Sequence, residues 1–226
     1  MIYVYTGTPG SGKSLHVIKD IVTKLKFGGN VICNFPVSAE KIKPFKKKKL
    51  GEFVYKKNSD LTVKFLVDYA KNKHVKGKEG QTLIIFDEAQ AKFNSRDYRD
   101  SDRKEFNYFF TIHRHLGFNV ILITQSDRLI DKQIRCLFEY EVKHRKINNF
   151  KFFRFIPIKT FACITTWYGV REKLGTEFFI YKKSLSDMYD SYSLFDIDSD
   201  KDKDKESKLS INTIKKEYEK ENATAC

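Results

Sequence analysis

An apolar run, Ile2-Tyr3-Val4-Tyr5, stops at Gly7-Thr8-Pro9-Gly10-Ser11-Gly12-Lys13-Ser14, after which Leu15, Val17, Ile18, Ile21, Val22 and Leu25 recur at helical spacing. Strand, glycine-rich loop and helix in that order leave few folds open. The octapeptide satisfies GxxxxGK[ST] in full. Its glycines let successive backbone N–H groups curl toward an anion, and the following helix adds its positive end. In this pattern Gly7, Thr8, Pro9, Gly10, Ser11 and Gly12 cradle phosphates, Lys13 reaches the β- and γ-phosphates, and the Ser14 hydroxyl binds Mg²⁺. ATP with Mg²⁺ is the expected ligand pair.

Farther along, Val31-Ile32-Cys33 reads as a second buried strand, Phe53-Val54-Tyr55 as a short one, and Thr82 to Phe86 and Val120 to Ile123 as further apolar strands. Helices are expected between them, one capped by Ser59 and carrying Leu61, Phe65, Leu66 and Tyr69, another opened by an Asp102/Glu105 capping box and running to His115. Alternation of this kind predicts an α/β P-loop NTPase fold with a mainly parallel sheet covered by helices on both faces. After Ser126 the pattern changes. Cys136 to Lys143, Phe150 to Ile158, Phe161 to Tyr168 and Phe178 to Tyr181 follow as strand candidates without helices, which predicts a C-terminal antiparallel β extension over about 136–182. The expected domains are 1–195 and a flexible charged tail, 196–226, in which acids alternate with lysine.

Asp87 follows the Thr82–Phe86 strand, where ligands of open α/β sheets gather, and is the expected Mg²⁺ ligand beside Ser14. Glu88 is placed one residue on to orient and deprotonate water, which favours hydrolysis over phosphoryl transfer to a small molecule. Gln125 follows the Val120–Ile123 strand and is expected to sense the γ-phosphate or orient the water. A cation from a neighbouring subunit would complete such a site, with Arg135 the first candidate after Gln125, ahead of Arg114 and Arg128. Lys13, Glu88, Gln125 and Arg135 are thus the expected catalytic residues. His113-Arg114-His115 reads as cations at a helix end rather than a metal site, because two histidines at i and i+2 do not share a face.

Charge narrows the partners. The chain has 43 Lys and Arg against 29 Asp and Glu; the tail holds 7 and 9 of these, leaving 36 against 20, or +16, on residues 1–195. That excess suits nucleic acid, anionic lipid or nucleotide. Lys46 to Lys49 is one basic block, and basic and aromatic residues interleave between Lys143 and Lys159, a pattern that fits single-stranded DNA or, equally, a solvated strand face over core aromatics. The four cysteines, Cys33, Cys136, Cys163 and Cys226, show no CxxC spacing, so neither a disulfide framework nor a zinc ribbon is expected. No apolar run reaches the roughly 20 residues of a membrane helix, and no cleavable leader is legible.

Met1 to Ser14, Val31-Ile32-Cys33-Asn34-Phe35-Pro36, Ile85-Phe86-Asp87-Glu88-Ala89-Gln90 and His113-Arg114-His115 leading to Ile123-Thr124-Gln125 together resemble the zonular occludens toxin (Zot) family, which includes the assembly ATPase of filamentous phages. The resemblance covers about residues 1–195. It implies an ATPase of the additional-strand, catalytic-glutamate type, working at the cytoplasmic face of the host inner membrane in export of phage DNA and virion assembly, with phage single-stranded DNA or its binding and coat proteins as partners; a homo-oligomer is expected because an arginine supplied by a neighbour would complete the site. Family members usually continue into a transmembrane helix and an outer domain. A charged tail in that place implies a separate membrane-anchored partner or a shortened form. A single-stranded DNA motor or packaging ATPase outside assembly, a small-molecule kinase and a nucleotide-binding adaptor are the competing readings.

Overall fold

The computed structural model describes residues 1–46, 48–94, 101–149 and 158–189, all within a compact unit spanning Met1–Tyr189. In chain order the elements are β1 (Ile2–Thr6), α1 (Lys13–Lys26), β2 (Asn30–Cys33), β3 (Phe53–Tyr55), α2 (Val63–Lys73), β4 (Thr82–Phe86), α3 (Ser101–Ile112), β5 (Phe118–Ile123), α4 (Lys132–Arg135), β6 (Tyr140–Lys146), β7 (Thr160–Trp167), β8 (Glu172–Ile180) and α5 (Lys183–Ser186). Among the described residues the strands form one eight-stranded sheet in the order β3-β2-β4-β5-β1-β6-β7-β8.

Strand periodicity sorts the core. Ile2, Val4, Ile84, Phe86, Val120 and Leu122 face one layer, packing on Leu66 of α2, Phe106, Phe109 and Phe110 of α3 and Ile134 of α4. Tyr5, Leu83, Ile85, Ile121 and Ile123 face the other, against Val17, Ile18, Ile21 and Leu25 of α1. Both faces of the parallel sheet are therefore covered, as the alternating apolar strands require.

Several boundaries differ from the sequence expectation. The cap of α2 is Thr62, whose Oγ1 accepts from the Phe65 N–H at 3.2 Å; Ser59 Oγ instead donates to Asp60. A turn closed by Leu61 N–H to Lys57 O (3.0 Å) buries Leu61 ahead of the helix. Asp102 and Glu105 both lie inside α3, which stops at Ile112. His113 turns inward, with Nδ1 2.7 Å from the Phe110 carbonyl and Nε2 3.0 Å from the N-terminal amine, and burial depresses its pKa. It is a neutral core residue, whereas Arg114 and His115 are exposed.

The larger correction concerns Cys136 to Lys143. Helix α4 precedes it, and the strand begins only at Tyr140, because the chain must return to the opposite edge of the sheet before pairing. β6 runs parallel to β1, with Tyr3 opposite Tyr140 and Tyr5 opposite Val142, so it belongs to the parallel core. The antiparallel extension is β7 and β8. Of the Phe150 to Ile158 strand candidate, 150–157 lie outside the described residues, as does the 196–226 tail.

Cys33 offers a check on the core. It is fully buried on β2, its Sγ donates to Phe35 O at 3.0 Å, and burial pushes the thiol up to about 12, whereas Cys136 is exposed. Thiolate fraction alone should slow alkylation of Cys33 about 10³-fold relative to an ordinary thiol. Peptide mass spectrometry after a short iodoacetamide pulse should find Cys136 modified and Cys33 protected until urea unfolds the chain. Equal labelling in native buffer would contradict the burial of Cys33 on β2.

Candidate nucleotide-binding site

The Gly7–Ser14 loop joins the end of β1 to the first turn of α1. Gly7 and Gly12 adopt φ of +146° and +96°. A Cβ on Gly7 would stand 2.7 Å from the His144 carbonyl oxygen, and one on Gly12 would stand 2.6 Å from the Phe161 ring. Both positions thus exclude a side chain by conformation and by space. α1 opens with no side-chain cap and no acid in its first turn, leaving its N–H groups to an external anion. Ser11 Oγ is buried with no hydrogen-bond partner among the described residues, a donor that a phosphate oxygen would satisfy.

Lys13 lies over its own loop, its Nζ donating to the carbonyls of Gly7 (2.6 Å) and Thr8 (3.2 Å). Burial lowers its pKa, and the nearby carboxylates of Glu88 and Asp87 oppose that shift. The parallel register explains the convergence. Ile85 pairs with Ile121 on β5 and Tyr5 with Ile123, so the carboxyl ends of β1, β4 and β5 emerge at one edge. β5 lies between β1 and β4, the additional-strand arrangement.

Asp87 is held from three sides. Its backbone N–H donates to Asn34 Oδ1 (2.7 Å) and its carbonyl accepts from Asn34 Nδ2 (2.9 Å), which also donates to Asn58 Oδ1 (2.9 Å). Its Oδ1 accepts from Glu88 N–H at 2.9 Å and its Oδ2 from the Tyr189 hydroxyl at 3.0 Å. Burial pushes the carboxyl up, while those donors and Lys13 hold it down. A serine hydroxyl, a carboxylate and phosphate oxygens would form a hard oxygen set of the kind that fits Mg²⁺, and Ser14 and Asp87 are the residues that could hold it.

Glu88 is exposed and adopts φ +46°, ψ +49°, a left-handed conformation uncommon for a residue with a side chain, and it accepts from Gln90 Nε2. Gln125 is exposed beyond β5 and shares a cleft of about 480 Å³ with Thr6, Gly7 and Thr8. Lys143, Arg145 and Lys146 of β6 line the same cleft. His144 between them is buried and unavailable to a partner.

Arg135 is not gathered into this cluster. It is half-buried on α4, close enough to Tyr168 to stabilise its ionised form, and the Tyr168 hydroxyl donates to Asp127 Oδ2 at 2.7 Å. Arg114 pairs with Glu79 near the N-terminal amine, at the sheet edge opposite the loop, whereas Arg128 is exposed just after β5 on the loop side.

Sequence reasoning missed Asn34, Phe161 and Tyr189. Asn34 carried a signal, a polar residue one step beyond a buried strand. Phe161 and Tyr189 carried none, since each reaches the loop from more than a hundred residues away. Behind the loop His144 Nδ1 lies 3.3 Å from Thr6 O and its Nε2 lies 2.8 Å from His16 Nδ1. Burial, then the neighbouring His16, depresses His144 to about 3, and burial also lowers His16.

The family model of zonular occludens toxin (Zot) matches residues 1–196. The chain belongs to the Zot family. This Zot-family chain is 28% identical over 157 residues to the Gene 1 protein of Escherichia phage If1, covering 65% of the chain and 42% of that relative. With the Gene 1 protein of Enterobacteria phage I2-2 it shares 30% identity over 155 residues, covering 65% of the chain and 40% of that relative. The chain thus spans about two fifths of the length of the curated relatives it matches. In structure it resembles a DnaB-like replicative helicase with a TM-score of 0.54 at 13% identity, over 81% of this chain and 56% of that one. That likeness is one of fold, and the fold is that of a P-loop NTPase.

Proposed function

We propose that the chain hydrolyses ATP with Mg²⁺ and that this work drives export of phage single-stranded DNA and virion assembly at the cytoplasmic face of the host inner membrane. The observation that carries the reading is the meeting of Lys13, Ser14, Asp87 and Glu88 at the carboxyl edge of β1 and β4, with Gln125 leaving the strand between them. Bound Mg²⁺ would neutralise phosphate charge. The chain's own residues would do the rest: loop N–H groups and Lys13 bind phosphate, Asp87 and Ser14 hold the ion, Glu88 takes the proton of the attacking water, and Gln125 orients that water. A cavity of about 230 Å³ against the loop, walled by Leu15, Phe161, Tyr181 and Leu185, would receive the nucleoside.

Phosphate release from ATP by the purified chain, with and without Mg²⁺, single-stranded DNA and anionic vesicles, tests the proposal. Release should require Mg²⁺ and vanish in Lys13→Ala. Phosphorylated small-molecule product without free phosphate would revive the kinase reading, and nucleotide binding without turnover the adaptor reading.

The partner reading rests on charge. Lys143, Arg145 and Lys146 beside the loop suit a phosphate backbone, and this cleft also favours the alternative of a DNA motor outside assembly. Elsewhere Lys46 and Lys48 lie over the exposed Phe45 and Phe27 rings, a surface suited to lipid head groups or a membrane-anchored partner. Three phosphate contacts on single-stranded DNA predict a slope of log affinity against log salt of about −2. Fluorescence anisotropy across a salt series measures it, with vesicle co-sedimentation in parallel. Binding to neither DNA nor vesicles at low salt would sink this part of the reading.

A further inference from the structure

His16 of α1, Cys163 of β7 and Glu177 of β8 offer ligand atoms that all lie within 4.8 Å of one another. None belongs to the phosphate site. Cys163 stands directly across from Glu177 in the β7–β8 ladder and from His144 in the β6–β7 ladder, and His16 stacks on Tyr5 and on Phe179 at 5.1 and 5.3 Å. Histidine, thiol and carboxylate are thus brought to one point by three separate elements.

The proton positions of the histidine pair sharpen the picture. A carbonyl oxygen only accepts, so His144 Nδ1, 3.3 Å from Thr6 O, carries its proton. Burial disfavours a charge on this ring, which makes its Nε2 the acceptor and His16 Nδ1 at 2.8 Å the donor. A neutral His16 therefore presents Nε2 as a bare lone pair. The nearest carboxylate oxygen of Asp20 is 3.9 Å from it, beyond hydrogen-bond reach, and Asp20 is itself engaged by the Tyr5 hydroxyl at 2.8 Å. An imidazole that donates its far N–H into a fixed acceptor chain and leaves the near nitrogen bare is the usual state of a metal-ligating histidine.

We propose that His16, Cys163 and Glu177 bind a divalent transition-metal ion of the zinc class, with a fourth position open to solvent. Nitrogen, sulfur and oxygen donors together suit zinc and disfavour Mg²⁺ or Ca²⁺. Binding converts the Cys163 thiol into a metal thiolate and releases its proton to solvent. Entry is provided by a cleft of about 470 Å³ lined by Tyr3, Tyr5, His16, Asp20 and Glu177. Lys19, which pairs with Glu177 Oε1, is the cation the metal displaces. The bound ion ties the β7–β8 extension to α1 whatever nucleotide chemistry the chain performs, so this inference stands apart from the proposed function.

The full chain, stripped with chelator, is titrated with Co²⁺ as a spectroscopic probe and then with Zn²⁺. Expected are one equivalent of cobalt, a thiolate-to-cobalt charge-transfer band, displacement by zinc and a rise in Tm with zinc. Cys163→Ser should abolish the band and weaken binding at least about 100-fold, and Glu177→Gln, at an exposed strand position, should keep the band and weaken binding about 10- to 100-fold. Cys136→Ser should change neither. No band in the folded wild type overturns the site, as does a band that survives Cys163→Ser or disappears in Cys136→Ser. Should Cys163→Ser fail to fold, unchanged cobalt affinity in Glu177→Gln overturns it equally.

Discussion

Glu88→Gln binds ATP and Mg²⁺ like the wild-type chain but releases phosphate about 10²- to 10⁴-fold more slowly, the usual loss on removing a general base. The substitution keeps the size of the side chain and its exposed setting, so the left-handed backbone at this position is not disturbed further. What it removes is the ability to accept a proton. The Glu88 carboxylate is near enough to Lys13 to oppose the lowering of its pKa by burial. A fluorescent ATP analogue measures binding, and single-turnover phosphate release measures chemistry. Turnover unchanged from wild type would remove Glu88 from the base role. A joint loss of binding and turnover would point instead to disruption of the Asp87–Glu88 turn.

Arg135→Ala lowers turnover about 10³- to 10⁵-fold with nucleotide binding intact if it supplies the charge that Lys13 cannot, the magnitude associated with an arginine donated in trans. The competing account of Arg135 is a weak surface pair with Asp127 or Asp131, of which Asp131 also pairs with Arg103 and Asp127 also accepts from the Tyr168 hydroxyl. Since Arg135 is not gathered to the loop of its own chain, its action requires a second copy. Mixing Lys13→Ala chains with Arg135→Ala chains should therefore restore part of the activity that each lacks alone. Arg128→Ala, measured beside it, tests the exposed arginine on the loop side of the sheet. If both variants turn over like wild type and activity is independent of protein concentration, the shared-site proposal is wrong.

The residues that were readable in advance are those whose structure is set within a few positions. The phosphate loop is legible because Gly7 and Gly12 must adopt positive φ at fixed distances from Lys13, and the two-faced core because side chains alternate along β1, β4 and β5. Asp87 and Glu88 are legible for the same reason, one and two steps past a buried strand. Pairing partners are not local. Whether Tyr140–Lys146 joins the parallel core or the antiparallel extension depends on which edge of β1 is free when the chain returns, and α4 brings it to that edge. The choice of Thr62 over Ser59 as a cap follows from burying Leu61, a tertiary gain that overrides two comparable capping residues.

Distant convergence separates the remaining residues in the same way. Local spacing predicts a Walker loop, a carboxylate pair and an alternating α/β chain from residues a few positions apart, since backbone geometry acts over that range. Tyr189 on Asp87, Phe161 against Gly12, the neutral His16–His144 pair and the meeting of His16 with Cys163 and Glu177 exist only once the sheet has closed its order, because each contact joins residues separated by about a hundred positions or more.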